Sequence, residues 1–389
     1  MNSKVFNQSR NPNFELMRIL NCLLIVTHHH QYFLFKDMDP FSKLFVTIMF
    51  IPSINSFIYI TGYFGNFSRW RPSRVLILLF QITISNLIAC LIVFYSNNEK
   101  IQISKVFSFE VLFHRNWFHH CYMVFYFFIP MTKYLSHFFY KRLKYFIFLL
   151  CLCYFLSLTK FARYFPTGRG YSVHWFIFLY ILSYTLLTNQ HKPPSTKEFF
   201  IYLLSYILSL LLSWNFQNID LKQHPYLYRY FPNFPNQCNI YFCHCCWTTI
   251  LISIFYFKVF QNLMINNKII QSIIFFISKH LDVLFMFHHY KNGSTYIFMV
   301  IGNLKIFKTL DLSPMRLLLL QSIIDFMLCF AYSIVFHSIF DHITKSSLAV
   351  DFFNKFDDFL KRNFNINENR TNDEEMITDN FEKVDFELV

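Results

Sequence analysis

The stretch "ELMRILNCLLIVTHHHQY", residues 15–32, sets Glu15, Arg18 and the His28–His30 triplet in an otherwise apolar run. Glu15 and Arg18 are three residues apart, so on a helix they share a face and can pair. Arg18 and His29 are eleven apart, which at about 100° per residue returns to nearly the same face, with about 16 Å between them along the axis. As a helix the segment carries one polar stripe from Arg18 to His29, with His28 and His30 on either side. Imidazole exchanges protons near neutral pH, and ionisable residues inside apolar spans mostly face a cavity and mark function. The plainer alternative is that Arg18 and Glu15 snorkel at an interface and the histidines touch lipid headgroups.

The surrounding composition says what must position these groups. The chain has 389 residues, 54% hydrophobic and 21% aromatic, with 15% charged, against about 25% charged in an average soluble domain. There are 54 phenylalanines and only 6 glycines. Apolar blocks recur at about 20 residues, the length a transmembrane helix needs. The expected fold is all-α, a polytopic transmembrane helical bundle of about ten spans. They fall at 14–35, 43–65, 75–96, 118–139, 143–160, 173–189, 198–214, 239–260, 268–290 and 312–340. The last block is long enough for two elements or one strongly tilted helix. Residues 1–13 form a polar N-terminal segment without a cleavable signal pattern, 14–340 the membrane domain, and 341–389 an acidic tail expected to be disordered or only locally helical.

A net charge of +13 invites a nucleic-acid reading, but its distribution opposes one. Residues 351–389 hold 11 of the 22 acidic residues and 5 of the 35 basic ones, leaving the excess in short segments between apolar blocks. That pattern suits headgroups, whereas a nucleic-acid module clusters its charge on one face. Lys and Arg are shared evenly between the two sets of loops, so charge alone does not orient the chain. The group Cys238, Cys243, His244, Cys245 and Cys246 lacks the paired spacing of a zinc module and reads as packing cysteines, not a metal site.

Five stretches in order resemble the acyltransferase 3 family, integral-membrane O-acyltransferases that commonly modify polysaccharides. "FELMRILNCLLIVTHHH" resembles the first span, with its Glu-Leu-x-Arg-Ile start and a histidine pair, and aligns His29 with the catalytic histidine. "NSFIYITGYF" resembles the second-span signature through Asn55, Gly62 and Tyr63. "WFHHCYMVFYFFIP" and "GYSVHWFIFLYILSYTL" keep further aromatic positions, and "FISKHLDVLFMFHHYKN" puts His288 on a late histidine. Arg71 and Arg74, with Arg69 beside them, match an arginine pair after the second span. The resemblance covers roughly residues 13–340. Departures concentrate late: Asp282-Val283 stands where the family has Phe-Gly, His289 follows the histidine in place of an acidic residue, and Leu182-Ser183 replaces Gly-Ala.

The resemblance implies transfer of an acyl group, most commonly acetyl, from acyl-CoA to a hydroxyl of a glycan or lipid-linked acceptor. The partners are then acyl-CoA, that acceptor and the bilayer. No cofactor is permanently bound; acetyl-CoA is a substrate. His29 would act as base, Arg18 would orient the donor or stabilise the oxyanion, and Glu15 would hold Arg18. His28, Asn55, Gly62, Tyr63 and His288 would support the site. Arg69, Arg71 and Arg74 would grip the phosphates of the coenzyme, for which forked, permanently charged guanidinium groups are suited. Two rivals stand beside this reading. One is a transporter or flippase using intramembrane histidines, the other a non-catalytic family member with an altered 282–289 segment.

Overall fold

The computed structural model describes residues 11–35, 38–65, 70–97, 117–140, 142, 145, 172–187, 195–216, 247–289, 310 and 312–363. They form twelve helices, with no strand among the described residues. In chain order these are α1 (Pro12–Leu34), α2 (Pro40–Gly65), α3 (Ser73–Asn97), α4 (Trp117–Phe127), α5 (Ile129–Tyr140) and α6 (Val173–Leu187). The series continues with α7 (Thr196–Phe216), α8 (Trp247–Gln261), α9 (Lys268–Ser278), α10 (Leu281–His289), α11 (Pro314–Thr344) and α12 (Ser347–Asn363). The expected span at 143–160, the 239–246 part of another and the Cys238–Cys246 cluster lie outside the described residues.

The helix that carries the polar run starts where local chemistry favours a start. Asn11 caps α1 by accepting the Asn13 N–H at 2.9 Å, Pro12 occupies the first turn and Glu15 follows it, a combination that satisfies orphan donors and complements the helix dipole. Asp39 caps α2 by accepting the Ser42 N–H at 2.8 Å, and those bonds hold its carboxyl below the usual carboxylate range. Gln31 reaches across from the end of α1 to the Lys43 carbonyl at 2.9 Å, tying the two antiparallel neighbours together.

Around α1 pack α2, α8, α9, α10 and α11, while α2 packs in turn on α6, α7 and α8. The α2–α6 crossing is close because Gly62 has no side chain. A Cβ there would sit 2.8 Å from the Tyr180 carbonyl oxygen and 2.9 Å from Ser183 Cβ. Small residues at a crossing let backbones approach in this way. Ser183 donates to the Tyr59 carbonyl at 2.7 Å, and Trp175 donates to Asn55 at 3.2 Å in the same interface. Gly62→Ala should therefore cost about 1–3 kcal/mol through overpacking, read as a lower thermal unfolding midpoint in detergent.

Several interior hydroxyls are satisfied by the preceding turn of backbone. Thr27, Ser56, Thr132 and Ser322 each donate to the carbonyl four residues earlier, at 2.9, 2.7, 2.7 and 2.7 Å, as hydroxyls in an apolar medium must. Apolar side chains face outward on α7, α9 and α11, among them Leu204, Ile273 and Val335. Among the described residues two helices, α2 and α11, are long and apolar enough to cross a membrane.

Several boundaries differ from the expectation. The block at 118–139 is two helices broken at Phe128, because Pro130 supplies no N–H and clashes with the preceding turn. The block at 268–290 is also two helices, α9 and α10. No proline marks that break. It falls on Ser278-Lys279-His280, where Lys279 reaches Asp341 at 3.2 Å and the His280 ring lies 5.0 Å from that of His337. The block at 312–340 is one continuous helix running to Thr344. The tail, expected to be disordered or only locally helical, contributes the end of α11 and all of α12 as far as Asn363, and residues 364–389 lie outside the described residues.

That last helix is fastened to the bundle. The Asp357 carboxylate accepts the Ser73 N–H at 2.6 Å and its hydroxyl at 2.9 Å, serving as a cap for α3 from a distant part of the chain. Asp357→Ala should cost about 1 kcal/mol and speed hydrogen exchange at the first amides of α3.

Candidate functional site

Arg18 is buried one turn into α1 and forms an ion pair with Glu15 at 3.2 Å. Its side chain lines a cavity of about 40 Å³, room for roughly three water molecules at about 10–15 Å³ each. Facing it are Asp282 at the start of α10, His119 and Tyr122 on α4, and Thr61 on α2, with Cys22 and Phe285 closing the inner end. Residues carrying a guanidinium, an imidazole, a phenol and a carboxylate thus border one small space whose wall is mostly apolar. That set can hold a polar group, donate hydrogen bonds to a developing negative charge and move a proton.

Asp282 connects the cavity to the end of the bundle. It accepts a bond from Gln81 of α3 at 3.2 Å and lies 2.9 Å from His337 Nε2 of α11. The Nδ1 atom of His337 is 3.6 Å from Asp341, which pairs with Lys279 at 3.2 Å and Lys345 at 2.9 Å. An ionisable chain therefore runs from the cavity to exposed lysines. Asp282 is buried, so its partners are what make a carboxylate tolerable there.

The three consecutive histidines separate in space. His28 stacks flat on Phe50 with ring centres 3.9 Å apart, and the His29 ring lies 6.2 Å from that of His28. His30 is fully buried and sits 3.3 Å from Asp325 of α11, whose other oxygen is 3.7 Å from the Cys329 thiol. Between this group and the Arg18 cavity lies an apolar layer that includes Cys22, Ile25, Ile54, Phe285, Phe326 and Cys329. The continuous polar stripe expected from Arg18 to His29 is thus interrupted. Periodicity aligns the two residues on a face, but the intervening turns of that face are covered by apolar neighbours.

No family model, curated protein or solved structure matches this chain.

The remaining residues singled out from sequence fall into three groups. Arg74, at the start of α3, and Arg18 both lie near enough to Tyr122 for their charges to act on its hydroxyl, and Arg74 also reaches Tyr126. Arg71 is exposed at the same end of the bundle, and Arg69 lies outside the described residues. Asn55, Gly62 and Tyr63 belong to helix packing: Asn55 holds Trp175, Gly62 permits the α2–α6 crossing, and Tyr63 stacks among Phe14, Phe64 and Phe257. None of the three lines the cavity. His288 is on α10, with its side chain outside the described residues.

Sequence reading missed Asp325, His337 and Asp341. The available signal was an ionisable residue inside the last long apolar block, which by itself points to an interior partner. Asp282, a departure from the family pattern, lines the same cavity as Arg18.

Proposed function

We propose that the protein is a multi-pass membrane O-acyltransferase of about ten spans that moves an acyl group, most simply acetyl, from acyl-CoA to a hydroxyl of a glycan or lipid-linked acceptor. The observation that carries this reading is the buried Glu15–Arg18 pair on a cavity shared with His119 and Tyr122, with Arg74 and Arg71 at the same end. Arg71 and Arg74 suit the phosphates of the donor, and Arg18 suits a carbonyl of its pantetheine arm. The acyl end of that arm must part the apolar layer to reach His29, about 16 Å along α1 from Arg18. There the acceptor hydroxyl oxygen attacks the carbonyl carbon as His29 takes its proton. The tetrahedral intermediate collapses, the C–S bond breaks, and the coenzyme thiolate leaves with the proton from His29.

A second reading has its own support. Two ionisable clusters, Asp282–His337–Asp341 and His30–Asp325, stand on opposite sides of the apolar layer, as a proton-coupled carrier would need. The two functions separate in proteoliposomes supplied with radiolabelled acetyl-CoA and extracted membrane glycolipid. A transferase releases free thiol and labels the lipid fraction; a carrier does neither.

A further inference from the structure

We infer that α12 is an interfacial helix whose partner is the lipid bilayer itself, with Leu348, Phe352 and Phe359 seated at the boundary between headgroups and acyl chains. The inference rests on the membrane reading of α11.

Three observations converge. First, Leu348, Phe352 and Phe359 are 83%, 57% and 61% exposed. At about 100° per residue they fall within about 40° of one another, forming an apolar edge along the helix that is crossed by Lys355, which pairs with Asp351 at 2.7 Å. Nothing in the described bundle covers that edge, while the other side is held by the Asp357–Ser73 bonds.

Second, the edge follows an exposed apolar row on the preceding helix. Leu319, Ile323, Met327, Val335, Ile339 and Ile343 are all exposed on α11 at four-residue intervals or their multiples. At about 100° per residue each four-residue step turns by about 40°, so this exposed row winds around a helix long enough to cross a membrane, and its last member lies just before the turn into α12. Ser346 makes that turn: its N–H donates to the Ile343 carbonyl at 3.2 Å, and its carbonyl accepts the Val350 N–H at 3.0 Å. The exposed apolar residues of α11 therefore reach the turn into α12, whose own exposed edge begins at Leu348. Asp357 fixes the new helix across the end of the bundle, where α3 begins.

Third, the charge is balanced. Asp351, Asp357 and Asp358 offset Lys355, Lys361 and Arg362. Polar residues beside a pronounced apolar edge are the pattern of a helix lying in the interfacial plane. With no net charge, the attachment depends on apolar burial and not on anionic lipid.

A photoreactive benzophenone amino acid replacing Phe352, and separately replacing Val335 on α11, tests the assignment in the full-length protein reconstituted in phosphatidylcholine vesicles. Irradiation followed by mass spectrometry should find phospholipid adducts at both positions. A covalent dimer at position 352, meaning a second copy covers the edge, would overturn the inference. So would the absence of any adduct there while position 335 captures lipid. Failure of position 335 to capture lipid overturns the membrane reading of α11, and the inference with it.

Discussion

On the proposed mechanism, His29→Ala should lower the rate of acyl transfer by at least about 100-fold, the lower end of what a positioned general base contributes, while acyl-CoA binding should persist. The two effects separate because the residues stand apart. His29 is on the far side of the layer formed by Cys22, Ile25 and Phe326, whereas the donor end is built from Arg18, His119, Tyr122 and Arg74. Donor affinity, measured by equilibrium binding of labelled acetyl-CoA, should change little in this variant and fall sharply in Arg18→Ala. Arg18→Lys should recover little, since an ammonium cannot reproduce the fork that pairs with a carboxylate and a carbonyl together. The neighbouring histidines supply the contrast. His28→Ala removes a ring stacked on Phe50, and His30→Ala removes the buried partner of Asp325. Both act on packing and stability before chemistry. If His30→Ala folds normally and alone loses transfer, the base has been assigned to the wrong histidine.

Asp282→Ala should be the most destabilising single change in the bundle, at about 3–5 kcal/mol. Its carboxylate meets Gln81 and His337 at once and faces Arg18 across the cavity. Removing it strands a buried imidazole and amide and leaves the Arg18 charge with Glu15 alone. Asp282→Asn keeps an acceptor in place and should cost less. Asp282→Ala combined with His337→Ala should cost less than the sum of the two single changes, because the double variant removes both members of the contact. Thermal unfolding of the purified variants in one detergent measures all three. Additive effects would show that the 2.9 Å contact contributes nothing.

What could be read from the sequence was whatever depends on near neighbours. The start of α1 follows from Asn11, Pro12 and Glu15, and the Glu15–Arg18 pair follows from their three-residue spacing. The apolar blocks located α2, α6 and α7 closely. Partners far apart in sequence were illegible: Asp282 and His337 are 55 residues apart, and nothing in either segment names the other. The same limit explains the broken stripe, since a helical period says which residues share a face and not what covers it. Pro130 is visible within its apolar block and by itself argues for a break. In α12, Leu348, Phe352, Phe356 and Phe359 carry a helical spacing within the acidic tail.

The central claim is that this chain transfers an acyl group to a membrane acceptor. The most direct measurement incubates membranes containing the wild-type protein or His29→Ala, at equal expression, with radiolabelled acetyl-CoA and identifies the labelled product by mass spectrometry. The account predicts an O-acetylated glycan or glycolipid, sensitive to mild alkali, in the wild type and none above background in the variant. Equal labelling by the two proteins, or no labelled product from the wild type, would contradict it.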